Sequence, residues 1–476
     1  MTFSACVSSE TNTAEAPNEA RISTAVSEIA TAESTIPVPT VEPTAESTLA
    51  EPTNEPTATE QPVGISINQA QIDALKGLTI SVRHPFYQNV EKFEALTEEF
   101  NSTNPWGFEV NPLEGGGLPG VAASLRVEDF ADNLVIASAL DISESQPKRD
   151  FIALGDFALD PEYGLQEAFE VDSPFVDFQP NFEGELQYEI PLAYNTGILF
   201  FNTSWAQELG FSELPKTQDE LLAVAQAARL ANLADSSITN DNYGGIWLSR
   251  TALSAQTWYQ AFGGSFDFDG EAFTPQAEPM LNSFNFLKNT FLMSNSWGSI
   301  ENYPYRYFSD RMAVIAESDL TGLPEQEAYQ QTGAFQDGFT ALSYPASEGK
   351  GSLVLEAVSF AIPKANEESE LAAWLFASWL MEPEQQAKLV EIHGLWPSIG
   401  NPEKIAPQYA AENPAWASAL ANQPKLSLEP EVADWAWIRL LFQDAYERVY
   451  NLDASAFPRI IEVFEQSSRI NREQRP

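Results

Sequence analysis

The chain has 476 residues, 43% hydrophobic and 12% aromatic, enough for two or more ordinary domains with sizeable cores. Its formal net charge of −45 repels DNA, RNA and anionic lipid headgroups, which sets nucleic acid aside as a partner. One cysteine, Cys6, supports neither a disulfide framework nor a cysteine-based zinc site, and two histidines, His84 and His393, leave little for metal or general-base chemistry; no metal and no cofactor is expected.

At the start, Thr2-Phe3-Ser4-Ala5-Cys6 places small residues before a cysteine. This resembles the end of a bacterial lipoprotein signal, with Phe3 where the pattern usually has leucine and no basic or apolar stretch ahead of it. The resemblance implies residues 1–6 as a signal remnant with Cys6 acylated. From Val7 to about Pro62 the composition is Ser, Thr, Glu, Ala and Pro, with repeats such as Glu42-Pro43-Thr44 and Glu51-Pro52-Thr53. Such a stretch has too little apolar surface to order itself, and proline with self-repelling carboxylates keeps it extended. Residues 7–64 are therefore expected to be a disordered tether, with a reach under roughly 170 Å.

Leu78, Ile80 and Val82 alternate as a strand does, and Val90, Phe93, Leu96, Thr97 and Phe100 fall on one helical face ending near Asn101 and Pro105. Phe108 to Val110 reads as a second strand. Strand–helix–strand order predicts a parallel α/β sheet. Leu134 to Ile136 is a further short strand, ending near Asp141. Ligands of such sheets sit beyond the carboxyl ends of the strands, so the loops Arg83–Gln88 and Asp141–Glu144 are the first site candidates. Ile190 to Asn202 is a proline-led apolar strand; its run is interrupted by Pro191, Asn195 and Gly197 and is too short for a membrane span of about 18 residues. Thr217 with Glu220 predicts a capped helix start, with Leu221, Leu222, Val224, Ala225 and Ala228 buried. Leu371 to Met381 is apolar nearly all round and predicts a buried helix; Trp374, Trp379, Trp435 and Trp437 are expected in the core.

Several segments together carry a resemblance. They are Asp160-Pro161-Glu162-Tyr163-Gly164-Leu165, Pro191 to Gly197 with Phe201-Asn202, and Pro215-Lys216-Thr217 with Glu220-Leu221. Further along come Ala261-Phe262-Gly263-Gly264 with Asp267 and Asp269-Gly270, Phe308 to Ala313, and Gly351 to Lys364. In this order and spacing the chain resembles family 1 extracellular solute-binding proteins of ABC importers, the maltose- and glycerol-phosphate-binding type. It departs at Gln218, where the family has tryptophan, and at Asp310-Arg311, where it has Gly-Lys. The resemblance implies an α/β, type II, periplasmic-binding-protein-like fold of two lobes with hinge strands crossing between them. It implies a ligand held in the cleft by hinge closure. The expected division is 75–199 plus 316–355 for the first lobe and 200–315 plus 356–476 for the second. No enzymatic turnover is expected. The expected setting is extracytoplasmic: a monomer anchored by lipid on the outer face or in the periplasm, serving the membrane subunits of an ABC permease.

A sugar shows flat C–H faces edged by hydroxyls, so its site needs aromatic plates and polar groups. By position in the family pattern, the expected contacts are His84, Tyr87, Asp141, Ser143, Tyr194, Asn195, Trp258, Gly263, Gly264, Glu317, Ser318, Tyr344 and Trp396. Each has an ordinary packing alternative: the glycines serve a turn needing positive φ, and His84 before Pro85 serves a turn. Trp396 favours a neutral stacked sugar or polyol over an anion. Two rival readings are a secreted glycoside hydrolase, which needs a spaced carboxylate pair, and a surface scaffold that kept the fold without a ligand.

Overall fold

The structure is a computed structural model that describes residues 66–473 except 166–167, 170–172, 183–186, 268–272, 299–302, 347–348 and 433. Cys6, the 7–64 tether and Asp269-Gly270 lie outside the described residues. Strand β1 (Thr79–His84) turns Ile80, Val82 and His84 inward and pairs in parallel with β2 (Glu109–Glu114) and β3 (Leu134–Ser138). Between β1 and β2, helix α1 (Val90–Thr103) buries Phe93, Leu96, Thr97 and Phe100, the predicted stripe. Asn104 leaves it in extended backbone because Pro105 follows. Helix α2 (Gly117–Leu125) precedes β3, and α3 (Ala139–Ser145) follows it directly.

Strand β4 (Ile190–Asn202) is buried at all thirteen positions, which explains its unbroken apolar reading: neighbours cover both faces. A second group of strands follows: β5 (Gly244–Trp247), β6 (Ser296–Trp297), β7 (Ala313–Asp319), β8 (Phe339–Leu342) and β9 (Tyr344–Pro345). The chain returns through β10 (Gly351–Ala361) and adds β11 (Trp396–Pro397) and β12 (Lys425–Leu428). The principal sheet order is β2-β1-β3-β10-β4-β7-β5-β6. Strand β4 is the crossing: Ile190 to Asn195 pair with β10, whereas Gly197 to Asn202 pair with β7 and β8. The result is an α/β fold of two lobes joined by long strands.

Helix α4 (Gln218–Ala234) begins with the predicted capping box of Thr217 and Glu220. Helices α5 (Ala252–Ala261) and α6 (Ala277–Leu292) build the second lobe, and α7 (Glu367–Leu380) carries the buried Trp374. Helices α8 (Trp435–Asn451) and α9 (Phe457–Glu473) close the chain.

The pairing places the returning strands along the two halves of β4. Strands β7 and β8 lie beside the second half of β4. From Glu356 onward β10 lies between β3 and the first half of β4, and Trp374 of α7 packs against Phe157 and Phe360. Only the last part of 356–476 stays with the second lobe, where α8 and α9 share a core with Trp258 and Phe284. A returning strand belongs to whichever half of its partner it bonds, and strand order in space is not written in strand order along the chain. Among the described residues no helix is long and apolar enough to cross a membrane.

Candidate functional site

The crossing strands form the floor of a cleft with walls from both lobes. One chamber, about 820 Å³, is floored by Asn195 of β4 and Glu356 to Val358 of β10. A first-lobe wall comes from α2 and the start of α3, where the Ser138 hydroxyl accepts from the Asp141 backbone N–H at 3.1 Å and fixes the helix start. The opposite wall is Thr251, the loop Glu429-Pro430-Glu431, and α8 through Trp437, Arg439, Leu440 and Gln443. A second chamber of about 640 Å³ shares Thr251, Glu356, Arg439 and Gln443 with the first and adds Tyr303, Tyr305 and Glu317 to Asp319. Thr251 is held at this junction because it caps α5, its hydroxyl accepting from the Ser254 N–H.

Arg439 stands between two carboxylates, its Nη1 at 2.5 Å from Glu356 Oε1 and 2.5 Å from Glu429 Oε2. The other oxygen of Glu429 accepts from Gln256 Nε2 at 2.8 Å and Trp435 Nε1 at 3.0 Å. Burial raises the Glu429 carboxyl against the pull of Arg439. Burial and the nearby Glu429 charge push Glu431 up to about 7, and burial with the Glu431 charge lifts Glu189 well above the carboxylate range. In the second chamber Glu317 accepts from Trp258 Nε1 at 2.6 Å and from the Ser249 backbone N–H at 2.7 Å; burial raises its pKa. Among the described residues no three of His, Cys, Asp or Glu converge to hold a metal ion.

Of the residues singled out in the sequence, Asp141, Asn195, Glu317 and Ser318 line the cleft. Ser143 is half-buried on α3 and Tyr87 is exposed with its ring against Gly117, neither among the lining residues. The remaining aromatic candidates are enclosed. His84 packs between Phe86 and Phe93, and burial lowers its pKa to about 4, which fits a neutral core histidine. Tyr194 donates to the Phe178 carbonyl, Tyr344 packs on Trp258, and the Trp396 Nε1 donates to the Trp416 carbonyl. Trp258 is likewise buried and touches the cleft only through Glu317. Gly263 sits at φ +97°, and a Cβ on Gly264 would meet the Tyr259 ring at 2.4 Å, so both glycines serve the turn after α5.

The rings that do face the cleft are others. Trp437, expected in the core, is 36% exposed, and Tyr303 is 65% exposed with its ring stacked on Tyr305 at 5.5 Å. A signal for Trp437 lies in α8 itself. Trp435, Ile438, Phe442, Ala445 and Val449 form the buried stripe, while Ala436, Leu440, Gln443 and Glu447 fall on another face at helical spacing, with Trp437 beside it. Nothing comparable marks Tyr303.

Two α/β lobes joined by long strands, with a polar cleft across the joint, define a solute-binding protein. The chain belongs to the family of bacterial extracellular solute-binding proteins, which residues 95–417 match, about two thirds of its length. Members of that family bind and do not turn over their ligands. Comparison with curated protein sequences gives no match. Three solved structures share the fold. The cyclic alpha-maltosyl-1,6-maltose binding protein from Arthrobacter globiformis is 15% identical, with 83% of this chain and 98% of that chain covered and a TM-score of 0.65. An ABC substrate-binding protein from Listeria monocytogenes in complex with cycloalternan is 15% identical, with 84% and 100% covered and a TM-score of 0.65. The sugar-binding protein MalE from Xanthomonas citri is 16% identical, with 84% and 100% covered and a TM-score of 0.64.

Proposed function

We propose that this chain is the solute-capturing component of an ABC importer and that its solute is a carbohydrate, held between the lobes and delivered to a membrane permease. The observation that carries the reading is the cleft itself. It offers exposed rings, Trp437 in a chamber walled by both lobes and Tyr303 in the adjoining chamber, together with carboxylates and the Asn195 amide. A sugar stacks its C–H face on such rings and spends its hydroxyls on such acceptors. The carbohydrates named for two of the fold relatives, and the sugar binding named for the third, support the same class. Of the thirteen contacts expected from sequence, Asp141, Asn195, Glu317 and Ser318 are the ones we retain as ligand contacts, joined by Trp437, Tyr303 and Tyr305.

Contacts to both lobes at once favour the closed arrangement, so ligand shifts the hinge equilibrium. Acylation of Cys6 and residues 7–64 as a leash would keep a monomeric globule at the outer membrane face or in the periplasm, within reach of the permease. Thermal shift and calorimetry against mono- and oligosaccharides test the function. One sugar class should stabilise the protein by about 2.7 kcal/mol at a hundred times its Kd and be recovered unchanged, with a smaller radius of gyration. Cleavage of that sugar, or no response to any sugar, overturns the reading. Palmitate labelling that persists in Cys6→Ser overturns the anchor.

A further inference from the structure

We infer that the solute carries a protonated amine, an amino sugar in which the ammonium meets Glu431 in the first chamber and neighbouring donors meet Asn195 Oδ1. This rests on the carbohydrate reading and narrows it.

The cations of this chamber are already engaged. Arg439 is shared between Glu356 and Glu429. Across the chamber, Arg126 is held by Asp141 at 3.4 Å and Glu144 at 3.1 Å. Glu431, two residues beyond Glu429 in the same wall, has its Oε1 buried with no hydrogen-bond partner among the described residues. Glu431 lines the chamber, and the guanidiniums of Arg439 and Arg126 are engaged by other carboxylates.

The second observation is independent and lies on the floor. Asn195 is only 8% exposed, and its Oδ1 has no partner among the described residues. Its Nδ2 donates to Glu356 Oε2 at 3.3 Å, across the rung that pairs β4 with β10. The opposite amide orientation would set Oδ1 against that carboxylate, so Glu356 fixes the acceptor as the end left open. Both unpartnered groups are thus acceptors, and one is anionic when ionised. Leaving them so is costly. A neutral hydroxyl brings one donor and no charge. An ammonium brings three donors and neutralises Glu431, and such charge-assisted bonds are about twice as strong as neutral ones. A metal ion does not fit, because no three ligating side chains converge among the described residues.

The test compares matched pairs by calorimetry on the wild-type protein: glucosamine with glucose, galactosamine with galactose, mannosamine with mannose, and the N-acetylated forms. Within the pair that binds, the amine should bind at least tenfold tighter than both the hydroxyl and the N-acetyl form. In Glu431→Gln that ratio should fall towards one. A hydroxyl sugar that binds as tightly as its amine overturns the inference and leaves the carbohydrate reading standing. No response to any sugar overturns both. If Glu431→Gln does not fold, a wild-type salt titration decides. The amine should lose affinity several-fold between about 0.05 and 0.5 M salt while the hydroxyl form does not; equal salt response overturns the inference.

Discussion

Helices α5 and α8 belong to the same core of the second lobe, and each carries a tryptophan that bears on the cleft, yet the two indoles do opposite things. All ten residues of α5 are buried, and Trp258 reaches the cleft only by holding Glu317. Helix α8 buries one stripe and leaves Trp437 half out, facing the chamber. The difference lies in what covers each helix. Helix α5 packs against β10, β4, α6 and α8, so no face is left for solvent. Helix α8 packs on α5, α6 and α9 but borders the cleft along one side. An aromatic near a ligand can therefore act as a plate or as the support of a carboxylate, and layer order decides which.

The contrast is broken most severely at Trp258. Trp258→Ala should cost about 3–5 kcal/mol through the cavity it leaves, with a further loss because Glu317 keeps a buried oxygen without its donor. Urea unfolding measures it, and a loss under about 1 kcal/mol would contradict the enclosed packing. Arg439→Met comes next. It strands Glu356 and Glu429 without their shared cation, and losing one partner of a buried pair costs about 3–5 kcal/mol, less here because Arg439 and Glu356 are partly exposed. Unfolding of Arg439→Met beside the double variant with Glu429→Gln should show partial recovery; purely additive losses would argue against the bridge.

A smaller effect separates groups by pH. Glu431 sits at about 7 when folded against 4.5 ordinarily, so its contribution is present below pH 4.5 and lost as pH rises through 7. The enclosed His84 and His393, lowered by burial to about 4 and about 3, run the other way: their contribution is present above 6.5 and lost on acidification. Glu431→Gln should therefore remove roughly 1–3 kcal/mol of pH dependence between pH 5 and 7.5, reading one pKa unit as about 1.4 kcal/mol. Denaturation at fixed pH values reads this directly, and an unchanged slope would refute it. The smallest change in stability belongs to Trp437→Ala, within about 1 kcal/mol, while sugar affinity drops tenfold or more, which is about 1.4 kcal/mol in binding. Normal binding by this variant would remove α8 from the site.

The local elements were legible because they are set by short-range chemistry. The stripe of α1, the alternation of β1 and the Thr217–Glu220 cap each fell where their spacing placed them. Part of the cleft lining was legible too. Asp141 and Asn195 follow from strand ends and the crossing, and both line the cleft. The expected plates Trp258, Tyr344 and Trp396 did not, because family position identifies a neighbourhood and not the direction a ring faces. Hydrophobicity alone puts Trp437 in the core, whereas the helical spacing of α8 sets it beside the face that holds Leu440, Gln443 and Glu447.

The sequence by itself determined the class of protein: the order of motifs, the α/β alternation and the long apolar crossing at 190–202 are properties of neighbouring residues and of spacing along the chain. Tertiary structure alone decided which half of β4 each returning strand would join. It alone brought Glu356, Glu429 and Arg439, from β10, a loop and α8, into one bridge, and left a buried acceptor on Asn195 and on Glu431 without a partner among the described residues. Pairing and burial at long range depend on which surfaces meet, and side chains distant in sequence acquire their partners and their pKa only when the sheet has closed around them.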